Sequence, residues 1–261
     1  LTGPRFTLRF PDRNAQYVDV DASFPTEDRA SIELMMATWT PGSYLMREYA
    51  QHVVDLTVSG QNGALRAEKV SKNRWRVETN GSPSVRLQYK VWSTESTVRN
   101  NLVTQDMAIL NGAPTFITDA RALKAPHEVQ IERPEDWRAI ETGLPAHPNG
   151  LEGHFLAADA DMLYDSPIFV GNPTTRQFEV DGISYRVAMM PGGELWDHER
   201  TRDDLRNIVE TQTAFWGTTP YPNYVFLNAL VDAGGGLEHS ASTLMMAHQD
   251  QMLDEADYKR W

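Results

Sequence analysis

Val85-Arg86-Leu87-Gln88-Tyr89-Lys90-Val91-Trp92 places an apolar residue at every second position. A strand turns successive side chains to opposite faces, so this segment reads as a half-buried β-strand. The same period recurs in Tyr17-Val18-Asp19-Val20, Ile32-Glu33-Leu34-Met35, Val53-Val54-Asp55-Leu56-Thr57-Val58 and Trp75-Arg76-Val77. Turn chemistry separates the runs at Gln61-Asn62-Gly63, Lys72-Asn73 and Asn80-Gly81-Ser82-Pro83. Many short strands with tight reversals predict paired antiparallel sheets, in a sandwich-like arrangement.

Further along, His127-Glu128-Val129-Gln130-Ile131 is another strand candidate, and the Gly- and Pro-rich segment 142–153 reads as an exposed loop. A short helical stretch after Asp159 is stopped by Pro167. We place a domain boundary there, giving an N-terminal β domain at 1–168 and a second unit at 169–261. The second unit opens with a hairpin signal at Asp181-Gly182. A helix is expected over 201–216, with Leu205, Ile208, Val209, Phe215 and Trp216 near one face and Gly217 as its stop. The unbroken apolar run Tyr224-Val225-Phe226-Leu227-Asn228-Ala229-Leu230-Val231 suits a central strand. The expected class is mainly β, α+β overall.

With 261 residues, 41% of them hydrophobic, the chain can bury a substantial core. Its net charge of −12 and its lack of any Lys/Arg block argue against nucleic acid as a partner. No apolar run is long enough for a transmembrane helix, so no membrane span is expected. The chain has no cysteine, which removes disulfides, thiolate metal sites and a cysteine nucleophile. That fits reducing and oxidising compartments alike; of the two, an exported or periplasmic setting is favoured over the cytoplasm.

Two segments carry the candidate chemistry. Gly234-Gly235-Gly236-Leu237-Glu238-His239 follows the central strand directly. Residues without a Cβ let another backbone approach, as an edge strand does when it accepts an extended peptide. Glu238 then offers a carboxylate to the ammonium of a free N-terminus. The bland reading is a flexible Gly loop with an exposed glutamate. The other segment, Trp39-Thr40-Pro41-Gly42-Ser43-Tyr44, has the Pro-Gly signature of a type II turn, a rigid corner that presents Tyr44 and Arg47. Its bland reading is a well-packed turn with a structural tryptophan.

Taken in order, WTPGSYLMREYA (39–50), SKNRW (71–75), DMLYDSPIFVG (161–171) and FWGTTPYPNYVFLNALVDAGGGLEHSAST (215–243) resemble the glycyl aminopeptidase family of zinc metallopeptidases. The resemblance implies an N-terminal β domain, a thermolysin-like catalytic domain of gluzincin type whose β-rich start is the second unit, and a PDZ domain further on. It implies removal of N-terminal residues, with glycine and alanine preferred, from a peptide substrate with a free N-terminus. By the same resemblance Glu238 holds the α-ammonium, Gly234, Gly235 and Gly236 bond the peptide backbone, and His239 is a motif member rather than a metal ligand.

The zinc motif is where this sequence departs from the family. A zincin needs two histidines four residues apart on a helix, with a glutamate after the first. No two of His52, His127, His147, His154, His198, His239 and His248 have that spacing. Zinc is therefore expected in the intact enzyme and none on this chain, which alone is expected to hydrolyse nothing. An improvised site from Glu238, His239 and His248 lacks a recognised geometry. Ser43, Ser240 and Ser242 lie near the motifs, but none sits in a Gly-x-Ser-x-Gly elbow. Apolar surface is expected where further catalytic helices would pack, which leaves a homodimer open through that face. The rival reading is a non-catalytic β-sandwich module that binds a peptide or glycan.

Overall fold

The computed structural model describes residues 3–194 and 196–261. Its first part is built from two facing sheets and a third that leads into the rest of the chain. The largest sheet runs, edge to edge, through strands His154–Ala157, His127–Glu132, Arg5–Arg9, Tyr17–Pro25, Ser84–Trp92, Val53–Gly60 and Gly63–Ala64. Facing it is a four-stranded sheet of Ile117–Asp119, Ser31–Met36, Arg74–Glu78 and Ala67–Ser71. The period-two pattern is what joins them. Val85, Leu87, Tyr89 and Val91 are buried from one sheet, Ile32, Leu34, Met36, Trp75 and Val77 from the other, and all belong to one core.

Three local departures from the expected strands have physical causes. Val53–Gly60 carries a bulge between Val54 and Thr57, with Asp55 at φ 53°. The alternation is broken there, and Val58 is the fully buried residue of that strand. Thr79-Asn80-Gly81-Ser82 forms a tight turn with both central residues at positive φ. It carries the chain from one sheet to the other instead of closing a hairpin. His127–Glu132 lies parallel to Arg5–Arg9, one parallel pair in an otherwise antiparallel sheet. Segment 142–153 is not wholly an exposed loop either: Thr142 and Leu144 are buried, and exposure begins at Pro145.

A third sheet orders Ala139–Thr142, Ile168–Gly171, Ala108–Leu110 and Leu102–Val103. Its Leu102, Ile109 and Phe169 share a core with Ala188, Val225, Leu227, Leu244 and Met246 of the fourth sheet. That last sheet runs Thr174–Val180, Ile183–Met190, Asn223–Leu230, Ser242–Ala247 and Gly235–Glu238. Asn223–Leu230 sits centrally and parallel to both neighbours, and burial on both faces explains its unbroken apolar run. Asp181 and Gly182, both at positive φ, close the hairpin between the first two strands.

The other face of this sheet packs on the helix His198–Trp216. Asp197 caps its start by accepting from the Arg200 N–H, and Gly217, at φ 69°, ends it. At 100° per residue, Leu205 and Val209 share the face that meets the sheet, while Ile208 and Phe215 lie on another. Val209 is accordingly buried and Ile208 and Phe215 are exposed, whereas Trp216 falls on the Leu205 face by the same count and is exposed as the last residue of the helix. The expected single apolar face is thus two stripes, one of them open.

Candidate functional site

Gly235–Glu238 is the outermost strand of its sheet, paired antiparallel with Ser242–Ala247 so that Glu238 faces Thr243 and Gly236 faces Met245. Among the described residues no backbone bond reaches its outer edge. The three glycines serve different ends. Gly235 has φ 140°, which L side chains rarely adopt. A Cβ on Gly236 would stand 2.6 Å from the Met245 sulfur, and one on Gly234 would meet open space.

Alternation then fixes where the carboxylate points. Leu237 is buried in the core shared with the third sheet, so Glu238 projects from the opposite face, the one that carries Thr243 and Met245. On that face a cavity of about 460 Å³ opens between the sheet and the helix His198–Trp216, lined by Thr243, Met245, Phe226 and Ile208. Glu238 is exposed and, among the described residues, makes no ion pair or side-chain hydrogen bond. It is a carboxylate without a cation, on an open strand edge.

The corner of the first part meets this strand. Gly42 has φ 80° and Ser43 N–H bonds to Thr40 C=O, as the Pro-Gly pair predicts for a type II turn. A Cβ on Gly42 would lie 2.6 Å from the Leu237 side chain and 3.5 Å from the Glu238 carbonyl oxygen. Glycine at 42 therefore serves both the turn and the approach. Trp39 is not packed away; it is 46% exposed, with its indole N–H bonded to Ser43 C=O at 2.6 Å. Tyr44, at 97% exposure, stands clear of the surface beside the exposed Leu45 and Met46. Arg47 holds the corner through its backbone N–H to Thr38 C=O at 2.7 Å, and its Nε is buried without a partner among the described residues. The two motifs come together through Gly42 and Leu237, with no bond from Tyr44 or Arg47 to Glu238 among the described residues.

His239 turns inward. Its ring has no exposure, and its Nδ1 lies 2.8 Å from Asp165 Oδ1. The other oxygen of Asp165 accepts from the Ser240 N–H at 2.9 Å and from its hydroxyl at 2.6 Å. Burial pushes the Asp165 carboxyl up, but the bonds from His239 and Ser240 outweigh it and hold it below the usual carboxylate range. The Tyr224 hydroxyl donates near the same turn, lying 2.8 Å from Ser242 C=O and 2.5 Å from Thr243 Oγ1. Its pKa is raised, first by burial and then, against the Thr243 bond, by the negative charges of Asp165 and Glu238. Asp165 and Tyr224 were not singled out from the sequence. Asp165 lies inside the quoted DMLYDSPIFVG segment, and a carboxylate just before Ser-Pro, at a helix end, was the available signal.

One grouping of metal-type donors occurs among the described residues: Glu128, His147 and His154, with ligand atoms within 4.8 Å of one another. It lies on the edge of the largest sheet, not on the sheet of Glu238. The two rings stack at 4.1 Å with 4° between their planes, so their lone pairs run parallel instead of converging. His147 Nδ1 accepts from Asn149 N–H, and His154 Nδ1 from the Asn149 amide, whose oxygen is occupied by Leu151 N–H. Each neutral ring then carries its proton on Nε2. These donors do not fit a tetrahedral zinc as they stand; they clasp a loop.

A family model described as the Peptidase M61 N-terminal domain matches residues 5–172. A crystal structure described as an aminopeptidase N family protein from Idiomarina loihiensis superposes with a TM-score of 0.91 at 25% identity. The match covers 98% of this chain and 45% of that one, so this chain spans less than half the length of its structural relative. Among curated proteins, none matches.

Proposed function

The chain belongs to the Peptidase M61 N-terminal domain family, and from that membership we propose that it is the substrate-gripping part of a zinc aminopeptidase that removes N-terminal glycine or alanine. The observation that carries this reading is Glu238, a carboxylate with no ion pair among the described residues, on an open strand edge where its register partner Thr243 lines a cavity. An extended peptide adds to such an edge by main-chain hydrogen bonds, and the side-chain-free Gly234-Gly235-Gly236 lets it come close. Glu238 takes the peptide's ammonium in a charge-assisted bond, which registers the chain from its end and sets the first peptide bond at a fixed distance.

Tyr44, with Leu45 and Met46, forms an apolar rim at the neighbouring corner. Arg47 is assigned to the frame of that corner. His239 serves the strand from within instead of touching the peptide. Zinc, bound by residues outside this sequence, would supply a polarised carbonyl and an activated water. The exposed stripe of Ile208 and Phe215, with Trp216 exposed at the helix end, supports the reading, as the surface that further catalytic helices would cover.

The test is steady-state kinetics of the full-length protein with alanyl p-nitroanilide. Replacing Glu238 by Gln removes the charge and keeps the shape. A charged hydrogen bond is worth about 1.5–3 kcal/mol, so kcat/KM should fall about tenfold or more. Unchanged kinetics would remove Glu238 from the amine-binding role.

A further inference from the structure

We propose that Asp165 is a positioning residue for Glu238, holding the amine-gripping carboxylate in place through a clasp on the turn that follows it; this rests on the reading of Glu238 given above. Asp165 sits at the end of the short helix Ala160–Tyr164, on the first part of the chain. Glu238, His239 and Ser240 are consecutive on the second. Both oxygens of one carboxylate are spent on the two residues after Glu238, taking His239 Nδ1, Ser240 N–H and the Ser240 hydroxyl.

The clasp is stiff. Asp165 and His239 are 13% and 0% exposed in their side chains, and His239 N–H bonds back to Ser242 C=O to close the turn. The strand edge has no partner on its outer side among the described residues, so a free turn would let Glu238 wander along it. Anchoring the next two residues to a different structural unit fixes the carboxylate's height above the edge. Tyr224 ties the other strand to the same point, since its hydroxyl bonds Thr243, the register partner of Glu238.

The clasp ties the two units together and, at the same point, fixes the turn after Glu238. His239 Nε2 is buried with no partner among the described residues, so the ring is held through Nδ1 by Asp165. What the arrangement secures is geometry at Glu238.

The experiment is a double-mutant cycle in the full-length enzyme, reading kcat/KM for alanyl p-nitroanilide and for its N-acetylated form. Asp165→Asn keeps the shape but removes the charge and one of the two acceptor oxygens that take the three bonds. Alone it should lower kcat/KM for the free amine about tenfold and narrow the preference over the acetylated substrate. In a Glu238→Gln background it should change kcat/KM less than about twofold, because the residue it positions no longer carries the charge. Fold-changes that multiply, or an Asp165→Asn enzyme with an intact preference for the free amine, overturn the proposal. If Asp165→Asn does not fold, Ser240→Ala removes one of the three bonds and decides by the same cycle, with about a threefold effect expected alone. A flat response to Glu238→Gln instead sinks the amine-binding reading itself, which keeps the two failures apart.

Discussion

At the scale of single residues, the clearest pH signal lies in the core of the first part. His127 is fully buried, with Nδ1 donating to Ala125 C=O and Nε2 accepting from the Thr118 hydroxyl, both at 2.8 Å. The ring also stacks on Phe6. Every polar atom of the neutral ring is satisfied, so a proton has no place to bond. Burial lowers the His127 pKa, outweighing the Ala125 bond that raises it. The unfolded chain therefore binds the proton first as pH falls. The stabilisation is complete above the ordinary histidine range near 6.5 and is lost as pH drops below it. Denaturant titrations from pH 7.5 to 5 should show stability falling. His127→Gln, which cannot titrate, should flatten that slope and leave the share of His154, whose pKa burial also lowers. A slope unchanged in the variant would assign the effect elsewhere. Residue chemistry was legible from sequence only where it was local. Glu238 after three glycines announces itself, but its facing direction depends on Leu237 being buried, which no spacing reveals. Asp165 bonds residues seventy-four and seventy-five positions away, and a contact at that range leaves no local pattern.

At the scale of elements, the sequence was most legible where one face is buried and the other wet. Ser84–Trp92 and Ser31–Met36 come out as their alternation predicts, and Gly217 and Asp181-Gly182 end a helix and close a hairpin as their φ freedom allows. Legibility failed where two stripes share a helix, as in His198–Trp216, and where a sound turn signal joins different sheets, as at Asn80-Gly81. Both depend on what the element packs against. The edge strand Gly235–Glu238 carries its own prediction. Gly235 holds φ 140°, so Gly235→Ala is strained even though its Cβ would find space, nearest to Val98 at 3.9 Å. A residue held in that region costs about 1–3 kcal/mol. The variant should lose that much stability in denaturant titration, and its kcat/KM for alanyl p-nitroanilide should fall as the edge distorts. Gly234→Ala, at a position with open space and no positive φ, should leave stability within about 0.5 kcal/mol of the parent. Equal losses at the two positions would mean that backbone freedom is not what Gly235 supplies.

At the scale of the whole molecule, the division near residue 168 expected from sequence runs through ground that the fold uses as a joint. Ile168–Gly171 pairs with Ala139–Thr142 and Ala108–Leu110 on one side of it, while Phe169 is buried in the core that holds Val225, Leu227 and Leu244. Glu141 crosses the same seam to Arg186 at 2.9 Å, and Arg186 also donates to Thr142 C=O. Gly143 lies against Ala241, where a Cβ would come within 3.1 Å of its carbonyl oxygen. A seam with a shared apolar core, a partly buried ion pair and the Asp165 clasp behaves as a packed interior more than as a hinge. The two units should therefore unfold together. Phe169→Ala opens a cavity in the shared core and should cost about 3–5 kcal/mol. Its effect should appear as one cooperative transition, shifted equally for the tryptophans on both sides of the seam: Trp75 and Trp137 before it, Trp196 and Trp216 after it. Single-tryptophan variants followed by fluorescence during denaturation would check this. Two separated transitions, with only the second moved by Phe169→Ala, would show that the edge strand and the corner beneath it are held by independent bodies. The grip on a peptide would then depend on how those bodies meet, and not on one continuous core.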